Sequence, residues 1–289
     1  MPTLAGTYHH AESLSIFPYI LPHRSVNDDA ATSIVLVHGA FASHHEYEGV
    51  IASNILNEYH LLLPDLHSDG LDTSKGIDPF ELSRVADLIF HLIKHRGKNG
   101  KAHLVGVSLG AHAVIATAAM HPEIVEGHSI FISGYNRFQP PRYIKPAAPY
   151  IFFGLSKLES LWPNSSRVDQ VIDDGSQPPR GICTMKLVRE IDGAIFGHSN
   201  SGESLIGQEG IHARTCVVVA THFLSGDRIV HAQNLLAKMH GGRQVEDRSI
   251  LVQNRSMKHP WHVFEPNLFA TAVRAWLENR DLPEGFVGC

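Results

Sequence analysis

Short runs of consecutive apolar residues recur along the chain, and between them apolar positions repeat every three to four residues. Residues 33–37 (SIVLV) form the first run and end at His38-Gly39. Residues 59–63 form the second and end at Pro64-Asp65, and 101–107 and 127–133 supply the third and fourth. Such continuous runs, without a polar alternate, predict strands covered on both faces. Between them, 79–95 places Leu82, Val85, Ala86, Ile89, Leu92 and Ile93 at helical spacing, with Asp78 as N-cap and Pro79 at the first helical position. Residues 108–120 read as an alanine-rich helix. Strand alternating with helix implies a mostly parallel sheet with helices on both faces, an α/β fold.

The alternation stops after Asn136. Residues 137–210 carry Pro140, Pro141, Pro146, Pro149, Pro163, Pro178 and Pro179, no clear strand, and helical stretches at 150–161 and 183–196. It then resumes with strand 215–220, helix 230–240, strand 249–253 and helix 266–279. The expected organisation is a core of 1–136 and 211–289 interrupted by a helical cap at 137–210 over one edge of the sheet.

Composition narrows the function. The 289 residues fit one α/β domain with an insertion, and 43% hydrophobic against 18% charged residues is too apolar for a disordered chain. A net charge of -5 without basic runs disfavours nucleic acid, whose phosphates need neutralising. Cys183, Cys216 and Cys289 are too scattered for a disulfide framework or a zinc site. The 21 histidines take solvated positions as their default reading. Residues 1–25 lack a basic start followed by an apolar stretch, and no run approaches a membrane span, so the sequons at Asn164 and Asn254 carry little weight. The expectation is a cytoplasmic protein without membrane span, metal or cofactor.

The chemistry concentrates at Gly106-Val107-Ser108-Leu109-Gly110, between a strand and a helix. A serine that turns the chain from strand to helix within one residue needs small neighbours two before and two after it. Its hydroxyl is a weak nucleophile and requires a base held by an acid, which on such an elbow follow in the order Ser, acid, His. His259 and His262 flank Trp261 after the late strand, and His259 is preferred as the nearer to the strand end. Asp227 is the first carboxylate after strand 215–220. Its alternative role is a helix N-cap, and Glu246 and Asp247 are the fallback acids. The amides of Ala40, in His38-Gly39-Ala40-Phe41, and of Leu109 are the expected oxyanion donors.

His38-Gly39-Ala40, Pro64-Asp65-Leu66, Gly106 to Gly110, Gly226-Asp227 and the late His259 stand in the order and spacing of the α/β-hydrolase superfamily, and the chain resembles it over nearly its whole length. The resemblance implies an eight-stranded, mostly parallel sheet and a Ser108-Asp227-His259 triad. His259-Pro260-Trp261 with Pro266-Asn267-Leu268-Phe269-Ala270 and Ala275-Trp276 resembles fungal α/β-hydrolases, some of which act in natural-product pathways.

The expected reaction is cleavage of an ester, thioester or lactone of a small, largely apolar molecule. A lyase, carbon–carbon bond hydrolase, cyclase or ligand-binding receptor on the same scaffold is the alternative. Phe41, His44, Phe152, Phe153, Trp162 and Trp261 are the candidate substrate-lining residues, with the cap aromatics equally able to form the cap's own core. The cap also offers a surface for a homodimer. His44-His45-Glu46 resembles half of a zinc-protease motif, but Gly49 stands where the second histidine is needed.

Overall fold

The computed structural model describes residues 6–9, 20–66, 80–135, 145–147, 149–151, 153–154, 184–196, 202–220, 226–241 and 249–289. Among these, nine strands form one sheet: β1 (Thr7–His9), β2 (His23–Val26), β3 (Ser33–Val37), β4 (His60–Pro64), β5 (Ala102–Val107), β6 (Val125–Ser133), β7 (Arg214–Ala220), β8 (Ile250–Asn254) and β9 (Val287–Gly288). Their order is β1-β2-β4-β3-β5-β6-β7-β8-β9. The pairs from β4 through β8 are parallel, and β1, β2 and β9 add antiparallel edges. This is the α/β-hydrolase fold. β1, β2 and β9 are the strands that the apolar pattern does not reveal. In β2 two of the three buried residues are polar: Ser25 meets His60 Nε2 at 2.9 Å, and His23 Nδ1 donates to Leu21 O at 2.8 Å.

Alternate residues of the central strands enter opposite apolar layers, as a pleated sheet requires. Val35, Val37, Leu104, Ile130, Ile132 and Val217 pack with α2 (Leu82–Arg96) and α3 (Leu109–Met120). Ile34, Leu36, Val105, Val107, Phe131, Cys216 and Val218 pack on the other face with α1 (Glu48–Ala52) and the C-terminal helix (Pro266–Leu277).

Several boundaries differ from expectation. The start expected at Asp78-Pro79 lies outside the described residues, and α2 begins at Leu82 after an extended Glu81 (φ −130, ψ 132). Phe80 is drawn into the core, and its N–H donates to Glu190 Oε2 at 3.1 Å, which holds the chain out of the helix there. Of the expected cap, one helix is described in full, α4 (Met185–Phe196), whose Ile191 and Ala194 enter the apolar layer of α2 and α3. The helix expected at 230–240 begins earlier, as α5 (Gly226–His240). A short helix, α6 (Trp261–Phe264), precedes the C-terminal α7 (Pro266–Leu277). Among the described residues no helix is long and apolar enough to cross a membrane.

For seven of the described histidines the default solvated reading is corrected. His23, His38, His44, His60, His103, His112 and His262 are buried. Most of these rings hydrogen-bond inside the protein, exchanging water for protein partners.

Candidate active site

Ser108 joins β5 to α3 with φ 57 and ψ −117, the left-handed side of backbone space where a side chain is strained. Packing explains why the flanking residues are glycines. A Cβ on Gly106 would fall 2.3 Å from Gly110 O, and one on Gly110 would fall 2.0 Å from Val37 O. The turn is locked by Ser108 N–H donating to Ser133 O at 2.9 Å and Ala111 N–H donating to Ser108 O at 3.0 Å. Ser108 therefore sits above the parallel strand ends, with the free amides of a 12-residue helix beginning at Leu109.

The loop after β3 comes alongside. A Cβ on Gly39 would lie 3.5 Å from Ser108 Cβ. His38 is fully buried and bridges two loops. Its Nε2 accepts Leu66 N–H at 3.0 Å, so the proton is on Nδ1, which donates to Gly39 O at 2.7 Å. Phe41 has φ 61, a second strained residue. Glu46 closes the loop, its Oε2 accepting Gly39 N–H at 3.1 Å.

From the other side the chain after β8 delivers His259. Asn254 Oδ1 accepts from Ser256 N–H at 3.1 Å and Ser256 Oγ–H at 2.7 Å and shapes the turn. The half-buried imidazole rests on Gly134, which follows β6 directly beside Ser108: a Cβ there would come 2.3 Å from His259 Cε1. Trp261 anchors this segment by donating from Nε1 to Ser133 Oγ at 2.7 Å. Expected as a substrate-lining side chain, Trp261 is instead fully buried, packed on Phe269 (4.9 Å) and Phe286 (5.7 Å) in the apolar layer of α1 and the C-terminal helix. His262 is also withdrawn, its Nε2 3.3 Å from Glu46 Oε2 and the residue 1% exposed. Asp227 falls in the first turn of α5 rather than in a loop; its side chain, like Phe152, Trp162, Glu246 and Asp247, lies outside the described residues. Phe153 is half-buried.

Glu46, Ser133 and Gly134 belong to this arrangement and were missed by sequence reasoning. Only the first had a signal, a carboxylate eight residues after His38. His44 is held at the periphery: its backbone N–H (2.8 Å) and Nδ1 (2.9 Å) both donate to Asp65, which also accepts Tyr8 Oη–H at 2.9 Å. Burial alone would raise the Asp65 carboxyl, but the His44 hydrogen bonds and charge outweigh it and lower it. Among the described residues, those with metal-ligating atoms near one another are His44, His45 and Glu48, within 4.8 Å, not the triplet that ends at Glu46. Arg24 is paired with Glu48 there, so a cation would compete with a guanidinium.

The α/β hydrolase family profile matches residues 34–272. A protein described as an AB hydrolase superfamily protein, from the fungus Gibberella zeae, is 34% identical over 255 residues, covering 88% of this chain and 83% of its own length. Among solved structures, a variant of an N-acyl homoserine lactonase complexed with N-hexanoyl homoserine superposes with TM-score 0.63 at 15% identity, covering 97% of this chain and 99% of that one. A thermophilic esterase from Thermogutta terrifontis gives TM-score 0.61 at 17% identity over 95% and 98%. The strained serine above the strand ends, the matched profile and the fungal relative lead to one statement: the chain belongs to the α/β hydrolase family.

Proposed function

We propose that the protein is a serine hydrolase acting on an ester, thioester or lactone of a small, largely apolar molecule. The observation that carries this reading is the backbone of Ser108, held at φ 57 between strand and helix by two glycines that admit no Cβ. Such strain is kept where it exposes a side chain for chemistry.

In the proposed reaction His259 takes the Ser108 proton as the oxygen attacks the acyl carbon. The carbonyl oxygen, now negative, accepts from the amides of Ala40 and Leu109, aided by the α3 N-terminus. His259 protonates the leaving oxygen or sulfur, and water then hydrolyses the acyl-serine by the same route. Asp227, in the first turn after β7, orients the imidazole and supports its charge. Residues 137–210 are the proposed cap, and Phe41 with the aromatics Phe152, Phe153 and Trp162 is the proposed lining for the apolar part of the substrate, whereas His44 is taken up by Asp65. The natural-product setting rests on the resemblance of His259-Pro260-Trp261 and residues 266–276 to fungal α/β-hydrolases of such pathways.

The test is Ser108→Ala on an activated ester, with fluorophosphonate labelling followed by mass spectrometry. Turnover falls by several orders of magnitude and the label is found on Ser108 in the parent alone. An alanine variant as active as the parent overturns the reading.

A further inference from the structure

We infer that Glu46 and His262 are positioning residues for the oxyanion-binding peptide, a role that rests on the hydrolase reading. Glu46 belongs to a short 3-10 turn, His44–Tyr47, that follows the β3 loop. Its Oε2 accepts from two segments far apart in sequence, Gly39 N–H at 3.1 Å and His262 Nε2–H at 3.3 Å. Glu46 thus ties the loop of Ala40 to the helix that follows His259.

The need for a tie comes from Gly39. Glycine crosses between backbone regions cheaply, so an unpinned Gly39 would let the next peptide rotate. That peptide contains Gly39 C=O and Ala40 N–H in one plane. His38 Nδ1–H holds the carbonyl at 2.7 Å, and Glu46 holds the amide on the other side of the same α-carbon. Gly39 carries no side chain to restrain it, and its α-carbon stands close to both groups: a Cβ there would be in ordinary contact with Ser108 Cβ at 3.5 Å and Glu46 Oε2 at 3.6 Å. The two hydrogen bonds supply the rigidity instead. They fix the direction of Ala40 N–H relative to Ser108, and Phe41 at φ 61 shows that the loop is held away from its relaxed path.

His262 is suited to the supporting role. Its ring packs against Tyr47 (5.1 Å) and Phe269 (5.7 Å), and its Nδ1 has no hydrogen-bond partner among the described residues. Glu46 is therefore the one hydrogen-bond partner of this buried ring among the described residues. Burial pushes the Glu46 carboxyl up, but the His262 hydrogen bond and charge, with His38 and the Gly39 amide, outweigh it, and the group stays ionised. A negative charge near a developing oxyanion opposes it, so the pair is retained for geometry rather than for field.

The experiment uses the full chain and an activated ester, with Glu46→Ala, Glu46→Gln, His262→Leu and Ser108→Ala. Glu46→Ala lowers kcat by about 10- to 100-fold with KM within about twofold, since misplacing one oxyanion donor costs on that order. Glu46→Gln keeps an acceptor for Gly39 N–H and recovers most of the loss. His262→Leu preserves the apolar packing, removes the donor and loses about 3- to 10-fold in kcat. Native-state amide hydrogen exchange of the peptide 38–43 accelerates in Glu46→Ala and in His262→Leu, but not in Ser108→Ala. Unchanged exchange together with unchanged kcat in either folded variant, or a change in KM alone, overturns the inference. Because exchange does not depend on turnover, a fully active Ser108→Ala would sink the hydrolase reading while exchange still judges the tie.

Discussion

The imidazole of His259 lies over the α-carbon of Gly134, so that a methyl group there would come 2.3 Å from Cε1 and 2.6 Å from Nδ1. Gly134 also has φ 69, where any Cβ is strained. The next residue along the sheet is Ser108, whose N–H is bonded to Ser133 O. The glycine therefore sets how closely the ring approaches the serine.

Gly134→Ala is expected to fold, with a cost of roughly 1–3 kcal/mol for the positive φ. On the proposed mechanism it should lose about 100-fold or more in kcat/KM on an activated ester, because a proposed base displaced by about an ångström would no longer reach its proton. Circular dichroism checks the fold and steady-state kinetics the loss. Parental activity in a folded Gly134→Ala protein would show that the reaction does not need the ring where it now lies.

Strain at Ser108 gives an independent expectation. Within a helix or strand alanine is more stabilising than glycine by roughly 0.5–1 kcal/mol. At φ 57, ψ −117 the order should reverse, since only glycine relaxes there. Ser108→Gly is expected to be inactive and to melt above Ser108→Ala by about 2–4 °C, the equivalent of about 1 kcal/mol in a domain of this size. Paired thermal melts decide it; Ser108→Ala melting higher would mean that the turn is not strained.

These two sites differ in how legible they were. The elbow could be read because its demand is local: two glycines at fixed offsets around Ser108, a strand before and a helix after. Gly134 could not, because its constraint comes from His259, 125 residues away in sequence and brought close only by the parallel stacking of β5 to β8. The central strands were legible because both faces are apolar. β2 was not, because His23 and Ser25 are buried through hydrogen bonds that a hydropathy pattern does not contain. Trp261 looked like a pocket aromatic beside a candidate base, and only the partner of its indole, Ser133 Oγ, reveals it as the anchor of that segment. His262, the alternative base in the sequence, is buried on Glu46, a residue whose contacts reach two remote segments that no sequence pattern joins.

His112 makes stability depend on pH. It lies on α3, 2% exposed, stacked on Tyr135 at 4.4 Å, and burial holds its imidazole down to about 3. The folded protein therefore keeps this ring neutral where an unfolded chain, near 6.5, takes up a proton. Above about 6.5 neither state is protonated and the ring imposes no penalty; as pH falls from 6.5 toward 3 the unfolded state binds more protons and stability is lost progressively. At pH 5 the loss from this residue is on the order of 2 kcal/mol. His112→Phe, which keeps an aromatic ring against Tyr135, removes the titration. Its melting temperature should fall less between pH 7.5 and pH 5 than the parent's, by about 4 °C or more. His60, His91 and His103 are also lowered by burial and remain in both proteins, so the comparison isolates one ring. Parallel melting curves across that pH interval would mean that His112 is protonated inside the fold, and the packing on Tyr135 would then have to admit a charge.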